Sequence, residues 1–195
     1  MYKILNQVRK LKHTSNTKRK HEKAFEKILV KNGYSKITKH NLIKKDIKEM
    51  KYKSLPKHKK SFISQPCGSQ SFPDFLVIDA NGDAHCVELK SSKDDKITWN
   101  SGMPKTGAIY IFSSGKHNAQ TFVLGEDLWT EQEMEDQIAI RSLVDQITKI
   151  SKKPNTSVSY YGRHMHNDGK KVYGHKDRTT RESNVYRMIG KKGKK

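Results

Sequence analysis

The chain is short of acidic and of apolar side chains, and both shortages limit what it can be. Asp and Glu number 20 against 40 Lys and Arg, a formal net charge of +20 over 195 residues. Apolar residues make up 33% of the chain, below the roughly 45–50% of a typical globular protein. No run approaches the roughly 18 apolar residues of a membrane span, and no apolar stretch follows the basic N-terminus as in a secretory signal. We therefore expect a soluble, cytoplasmic protein with no membrane partner.

Cysteine is equally scarce. Cys67 and Cys86 form no CxxC pair and have no histidine at zinc-ligand spacing, which argues against a zinc site. Their number leaves a disulfide between them open. Cys86 stands in an apolar, strand-like run, where a small buried thiol is the ordinary interpretation.

The excess of lysine and arginine indicates a polyanionic partner. Each phosphate that a cationic side chain neutralises releases condensed counterions, which favours binding to nucleic acid. Ribosomal and architectural proteins share this composition, so charge alone does not predict an enzyme.

The order of periodic segments predicts an α/β or α+β domain with a mixed central sheet flanked by helices. We place the core between Phe72 and Val144, where the clearest apolar segments lie. The last helix either packs on the sheet or forms part of a dimer contact. The predicted helices are 21–30, 41–50 and 130–150, and the predicted strands are 72–78, 85–90, 108–112 and 121–124, with 97–99 a strand or a loop.

Composition divides the chain into three parts that we expect to form one domain. Residues 1–60 are a basic helical region, 61–152 the catalytic core, and 153–195 a basic, aromatic segment that contacts DNA. Residues 190–195 read as a disordered, charged tail.

The segment that carries chemistry joins Asp74 to Glu88 and Lys90. Alternation along a strand projects Glu88 and Lys90 from the same face. Between the two parts, Asn81-Gly82 is typical of a tight hairpin turn, which folds Asp74 back beside Glu88. The pattern therefore predicts that two carboxylates and one ammonium group meet at one end of a sheet.

That set of groups suits phosphodiester hydrolysis. Carboxylate oxygens are preferred ligands of Mg²⁺, and a bound Mg²⁺ polarises a phosphoryl oxygen and lowers the pKa of a water molecule. We expect Asp74 and Glu88 to bind the metal and the backbone carbonyl of Leu89 to complete its shell. Lys90 would position or deprotonate the attacking water, or stabilise the charge that develops on phosphorus.

Pro73-Asp74 and Glu88-Leu89-Lys90 resemble the signature of the PD-(D/E)xK nuclease superfamily, which includes most type II restriction endonucleases. The resemblance implies a restriction-endonuclease-like core, with a four-stranded mixed sheet between helices. It also implies metal ligation by Asp74 and Glu88, with Lys90 as the third catalytic residue. A further glutamate often precedes the core in this family, and of Glu22 and Glu26 we favour Glu26. The residues around the motif, 65–70 and 99–102, resemble the contexts found in some restriction endonucleases, and we expect Gln70 to face the active site or the DNA.

Two segments are candidates for DNA contact. The loop after the catalytic strand carries polar groups that pair with base edges in the major groove, although its Asn-Ser-Gly sequence equally suits a plain turn. The C-terminal segment mixes cationic and aromatic side chains, as phosphate clamps do. The candidates are Asn100, Ser101 and Lys105 in the loop, and Arg163, Lys170, Lys171, Tyr173, Lys176, Arg178 and Arg181 in the C-terminal segment.

The sequence thus favours a site-specific, Mg²⁺-dependent double-strand DNA endonuclease of the type II restriction kind. A homodimer whose two-fold symmetry matches a palindromic site follows from that interpretation. Two alternatives stay open. One is a junction-resolving, repair or recombination nuclease of the same superfamily, and the other is a non-catalytic basic nucleic-acid-binding protein.

Overall fold

The computed structural model of the chain describes residues 1–94, 97–99, 102–151, 164–166 and 175–192. The fold is mixed α+β, with a six-stranded sheet between helices. The helices are α1 Tyr2–Arg9, α2 Lys20–Lys31, α3 Lys44–Lys48, α4 Glu131–Ser151 and α5 His175–Lys192, with short 3-10 turns at Thr17–Arg19, Pro56–His58 and Gly125–Asp127. The strands are β1 Ser35–Lys36, β2 Ser61–Ser64, β3 Phe75–Ile78, β4 Ala84–Ser92, β5 Ile97–Trp99, β6 Ile109–Ser114, β7 Ala119–Leu124 and β8 His164–His166.

The main sheet has the order β1-β2-β3-β4-β6-β7. Strands β2, β3 and β4 pair antiparallel in succession, β6 pairs parallel to β4, and β7 returns antiparallel to β6. Short β1 lies parallel to β2 at the edge, and β5 pairs with β8 in a separate two-stranded sheet. The predicted mixed sheet flanked by helices is therefore confirmed.

The hairpin between β3 and β4 sets the register on which the site depends. Ile78 lies opposite Ala84 and Phe75 opposite Val87, so residues 79–83 form the connecting loop. Gly82 takes a φ of +93°, and a Cβ there would come within 2.8 Å of the Pro56 backbone, so glycine is required. The hairpin was predicted correctly, but its loop has five residues instead of the two of a tight Asn-Gly turn.

Helices from both ends of the chain cover one face of the sheet. Apolar side chains of α1, α2 and α5, among them Leu5, Phe25 and Val185, pack on Phe75 and Val87. The opposite face is covered by α3, β5 and the segment before α4. The predicted core between Phe72 and Val144 is therefore confirmed in part: that stretch supplies most of the sheet, but the termini supply much of its cover.

The C-terminal end also differs from the prediction. Residues 190–192, expected in a disordered tail, belong to α5. Val185 and Ile189 are buried four residues apart, so one face of this basic helix is held in the core. Helix α1 escaped prediction in the same way, since lysines surround its buried residues Ile4, Leu5 and Val8.

Two predicted helices differ in packing or length. The long helix lies at Glu131–Ser151, as the sequence indicated, but Leu143 and Ile150 are 60% and 64% exposed. Met134 near its start packs on the core, and the later apolar residues do not. Helix α3 covers only Lys44–Lys48 of the predicted 41–50, and Ile43, expected inward, is an exposed N-cap in extended backbone.

The two cysteines are free and buried, which settles the disulfide that the sequence left open. None of the helices in the described ranges combines the length and apolar character that crossing a membrane requires.

Candidate active site

The hairpin register brings Asp74 and Glu88 together. Phe75 lies opposite Val87, so Asp74, one residue before β3, falls opposite Glu88. The Asp74 backbone N–H donates to Glu88 Oε2 at 3.2 Å, and the Leu89 N–H donates to Asp74 Oδ2 at 2.8 Å. Both carboxylates therefore lie at one point of the sheet, as the sequence predicted.

Lys90 is held between a carboxylate and an aromatic ring. Its Nζ donates to Glu88 Oε1 at 2.8 Å, and the two side chains are only 19% and 14% exposed. The same Nζ lies 5.2 Å from the ring centroid of Trp99, which is 2% exposed. Trp99 in turn packs edge to face against Tyr110 and Trp129. The ammonium group is thus fixed beside the two carboxylates, with little access to bulk water.

Helix α2 contributes a third carboxylate, Glu22. This buried side chain accepts hydrogen bonds from the Arg19 guanidinium and, at 3.4 Å, from Gln65 Nε2. The Gln65 backbone N–H donates to the Asp74 carbonyl at 2.6 Å, so this residue, in the loop between β2 and β3, links Glu22 to Asp74.

Of the two glutamates weighed from the sequence, the structure places Glu22 at the cluster. Glu26, which the sequence favoured, pairs with Lys36 Nζ at 2.9 Å near the surface. The signal that separates them was present in the helix. Glu22 lies three residues before buried Phe25, hence on the inward face, and Glu26 follows Phe25 directly.

The cluster is electrostatically unbalanced. Burial raises the pKa of Asp74 well above its ordinary value, and the neighbouring Glu88 carboxylate and the more distant Glu22 raise it further. The Leu89 N–H and the Lys90 charge only partly offset these effects. In a protein of net charge +20, three carboxylates here face two cations, Lys90 and Arg19, which leaves room for another positive charge.

His21 is a neighbour of the cluster that the sequence did not single out. Its side chain is buried beside Glu22 at the start of α2, and burial lowers its pKa, so the ring is neutral near pH 7. Within the described part of the chain, Nδ1 has no hydrogen-bond partner.

The other predicted site residues fall into three groups. Gln70 is exposed in the loop before Asp74, and Lys105 Nζ lies 5.4 Å from the Phe72 ring centroid, near the same loop. Arg178 donates to Glu182 Oε1 and to the Gln120 carbonyl, so it fastens α5 to β7, and Arg181 is half-buried on the same helix. Asn100, Ser101, Arg163, Lys170, Lys171, Tyr173 and the side chain of Lys176 lie outside the described residues.

The donor set fits a hard, hydrated cation. Among the described residues, no three His, Cys, Asp or Glu side chains converge at metal-ligand geometry. The candidate ligands are thus the carboxylates of Asp74 and Glu88 and the Leu89 carbonyl, all oxygen donors. Mg²⁺ commonly binds through one or two carboxylates and keeps several waters, so the chemistry of this set matches that ion.

Comparison with known protein families, with curated proteins and with solved structures gave no match to this chain.

Proposed function

We propose that the protein is a Mg²⁺-dependent endonuclease that hydrolyses phosphodiester bonds in double-stranded DNA. The observation that carries the proposal is the meeting of Asp74, Glu88 and Lys90 within hydrogen-bond reach, at a partly buried position where the pKa of Asp74 is raised. Such a carboxylate pair is costly unless a cation neutralises it. The PD-(D/E)xK resemblance and the mixed sheet, with β6 parallel to β4 after an antiparallel succession, agree with this interpretation.

Each residue then has a chemical role. Asp74, Glu88 and the Leu89 carbonyl would hold the ion, which when bound supplies Lewis-acid polarisation and a water of lowered pKa. Lys90 orients the attacking water or donates to a phosphoryl oxygen as negative charge develops. Its hydrogen bond to Glu88 and its contact with Trp99 keep the ammonium in place before the substrate arrives.

A basic ridge on α2 provides an approach surface for the DNA backbone. Four exposed lysines recur along one face of the helix whose buried face carries Glu22. At 1.5 Å per residue they span about 16 Å, enough to follow several phosphates of one strand. The ridge consists of Lys20, Lys23, Lys27 and Lys31.

The specific version that we propose is a site-specific enzyme of the type II restriction kind, acting in the cytoplasm as a homodimer on duplex DNA. A cut in both strands requires two active sites in two-fold relation, and a dimer of one chain supplies them. Lys105 lies beside the ring of Phe72, two residues before Asp74 in the chain, and is a candidate for a DNA contact.

The test is incubation of the purified chain with a supercoiled plasmid in Mg²⁺ or in EDTA, followed by sequencing of the ends. Cleavage in Mg²⁺ is expected from the wild type and is lost in Lys90→Ala and Glu88→Gln. Two exposed residues provide matched controls, Lys3→Ala and Glu135→Gln, and both should cut normally.

The products separate the alternatives. Discrete fragments with one end sequence support site-specific cleavage, whereas cutting of branched DNA alone supports a junction-resolving, repair or recombination enzyme. If the wild type binds DNA without Mg²⁺ and does not cleave it, the result would support a non-catalytic DNA-binding protein.

A further inference from the structure

Helix α4 displays aliphatic side chains to solvent in an unusual concentration. Among the described residues, eight large hydrophobic side chains are exposed, and five of them lie on this one helix, with exposures between 44% and 64%. Clustered exposed apolar groups of this kind mark interaction sites in soluble proteins. The five are Ile138, Ile140, Leu143, Ile147 and Ile150.

Four of these residues form a regular seam. Ile140, Leu143, Ile147 and Ile150 follow one another at steps of three, four and three residues, the spacing of a coiled-coil contact. Ile138 is off this line, about 200° around the helix from Ile140. The helix is anchored from another side, since Met134 packs against the core that contains Trp129.

The charge of α4 sets it apart from the rest of the chain. The helix carries five acidic and two basic residues, a formal net charge of −3 in a protein of +20. A surface of that sign repels DNA, so the seam does not serve the substrate. Its acids lie mainly in the first half, at Glu131, Glu133, Glu135 and Asp136, and Lys149 lies near its end.

We infer that α4 is the surface on which two copies of this chain associate, as an antiparallel pair of helices. With a two-fold axis between Leu143 and Ile147, Leu143 of one copy contacts Ile147 of the other copy. Ile140 then contacts Ile150 of the other copy. This direction also places the acidic halves of the two helices at opposite ends of the pair. A parallel pair would instead stack identical acids side by side.

The α4 contact identifies the surface by which the proposed homodimer forms. Only its consequence for DNA cleavage rests on the proposed function. Association through α4 leaves the lysine ridge on α2 outside the contact. Two active sites then act in one complex, and both strands are cut in a single binding event.

Sedimentation equilibrium of the full chain tests the contact. The wild type should approach twice the 22.5 kDa of one chain, and Leu143→Asp or Ile147→Asp should weaken association by at least about 100-fold, because each change buries two charges in the seam. Ile138→Asp on the same helix and Ile43→Asp, an equally exposed aliphatic residue at α3, should leave the mass unchanged. The inference is overturned if the wild type stays monomeric over a 100-fold range of protein concentration, or if the Leu143→Asp protein still dimerises.

Direction is tested by disulfide cross-linking through the seam. In the antiparallel pair Leu143 faces Ile147 of the other copy, so a mixture of the Leu143→Cys and Ile147→Cys proteins should form more cross-linked dimer under mild oxidation than either protein alone. Equal or stronger cross-linking by Leu143→Cys alone, as a parallel pair gives, overturns the antiparallel arrangement.

The plasmid assay keeps this inference distinct from the proposed function. Wild type should produce linear DNA directly, and Leu143→Asp should produce nicked circles first. Dimerisation without any cleavage would support the α4 contact and overturn the proposed nuclease activity. Cleavage by a monomeric wild type would support the nuclease activity and overturn the α4 contact.

Discussion

Asp74 and Asp79 flank the same four-residue strand, β3, and their surroundings shift the pKa values of the two carboxyl groups in opposite directions. At the hairpin end, the Asp79 carboxylate accepts the N–H groups of Asn81 and Asp83 and lies 3.1 Å from His85 Nε2. Burial acts to raise the pKa of Asp79, but these donors lower it to about 2. At the other end, burial and the Glu88 carboxylate raise the pKa of Asp74. The first carboxylate is satisfied within the fold, and the second is left needing a cation.

This contrast separates a structural site from a functional one. A buried carboxylate with three donors stabilises the folded state, whereas a buried carboxylate beside another carboxylate destabilises it until a ligand binds. Proteins retain this kind of electrostatic destabilisation where a function depends on it. The predictions below test whether the two ends of β3 differ in this way.

The largest expected effect is on activity. Asp74→Asn should lower the single-turnover rate of plasmid cleavage by on the order of 10³-fold, because it removes a ligand charge from the reacting centre. Asp79→Asn, at the other end of β3, should cut at a rate within a few-fold of wild type when assayed well below its melting temperature. Equal losses in both variants would erase the distinction between the two ends.

The reverse holds for stability. Asp79→Asn should lower the free energy of unfolding by roughly 2 kcal/mol, because it weakens a buried network of two backbone N–H groups and His85. Asp74→Asn, measured without metal, should instead raise it by roughly 1 kcal/mol, because it relieves repulsion from Glu88. Urea denaturation measures both, with exposed Asp94→Asn as the neutral control. A stabilised Asp79→Asn protein would contradict the assignment of Asp79.

The pH dependence of stability should carry opposite signs at the two ends. The pKa of Asp79 is depressed, so its contribution is present above about pH 4 and is lost as the pH falls toward 2. The pKa of Asp74 is raised, so its carboxyl favours folding at acid pH and loses that contribution as the pH rises through neutrality. Urea midpoints of the metal-free protein, recorded from pH 2.5 to 8, should flatten below pH 4 in Asp79→Asn and above pH 4 in Asp74→Asn.

Mg²⁺ should stabilise the folded protein through the Asp74 end alone. An ion that binds only the folded state adds about 1.4 kcal/mol at ten times its dissociation constant. A rise in melting temperature is therefore expected for wild type and for Asp79→Asn, and is not expected for Asp74→Asn. Thermal melting at matched ionic strength measures it, and a shift of equal size in all three proteins would mean that the ion binds elsewhere.

The sequence predicted the centre of this fold better than its margins. Alternation in β4 and the Asn-Gly pair were enough to bring Asp74 beside Glu88, because hairpin register is a local property. Helices α1 and α5 were missed because basic residues flank their short sets of apolar residues, and their burial depends on a sheet formed by residues far along the chain. The apolar face of α4 misled for the complementary reason, since helical periodicity shows that a face is apolar and does not show what covers it.

The candidate site was predictable to a similar degree. Asp74, Glu88 and Lys90 follow from spacing on one hairpin. Trp99, however, comes from β5, and its place under Lys90 follows from a strand pairing with β8 that no local pattern encodes.

The smallest effect that we expect concerns Trp99 as a positioning residue for Lys90. Trp99→Leu should lower the cleavage rate about fivefold with DNA affinity unchanged, since a cation–π contact contributes roughly 1 kcal/mol. Trp99→Phe should recover most of the rate because it keeps an aromatic face under the ammonium 5.2 Å away. Trp129→Phe is the matched control, because Trp129 contacts Trp99 at a centroid distance of 5.6 Å. If Trp129→Phe and Trp99→Leu slow cleavage alike, the aromatic cluster acts by packing alone, and the contrast between the two ends of β3 rests on its carboxylates.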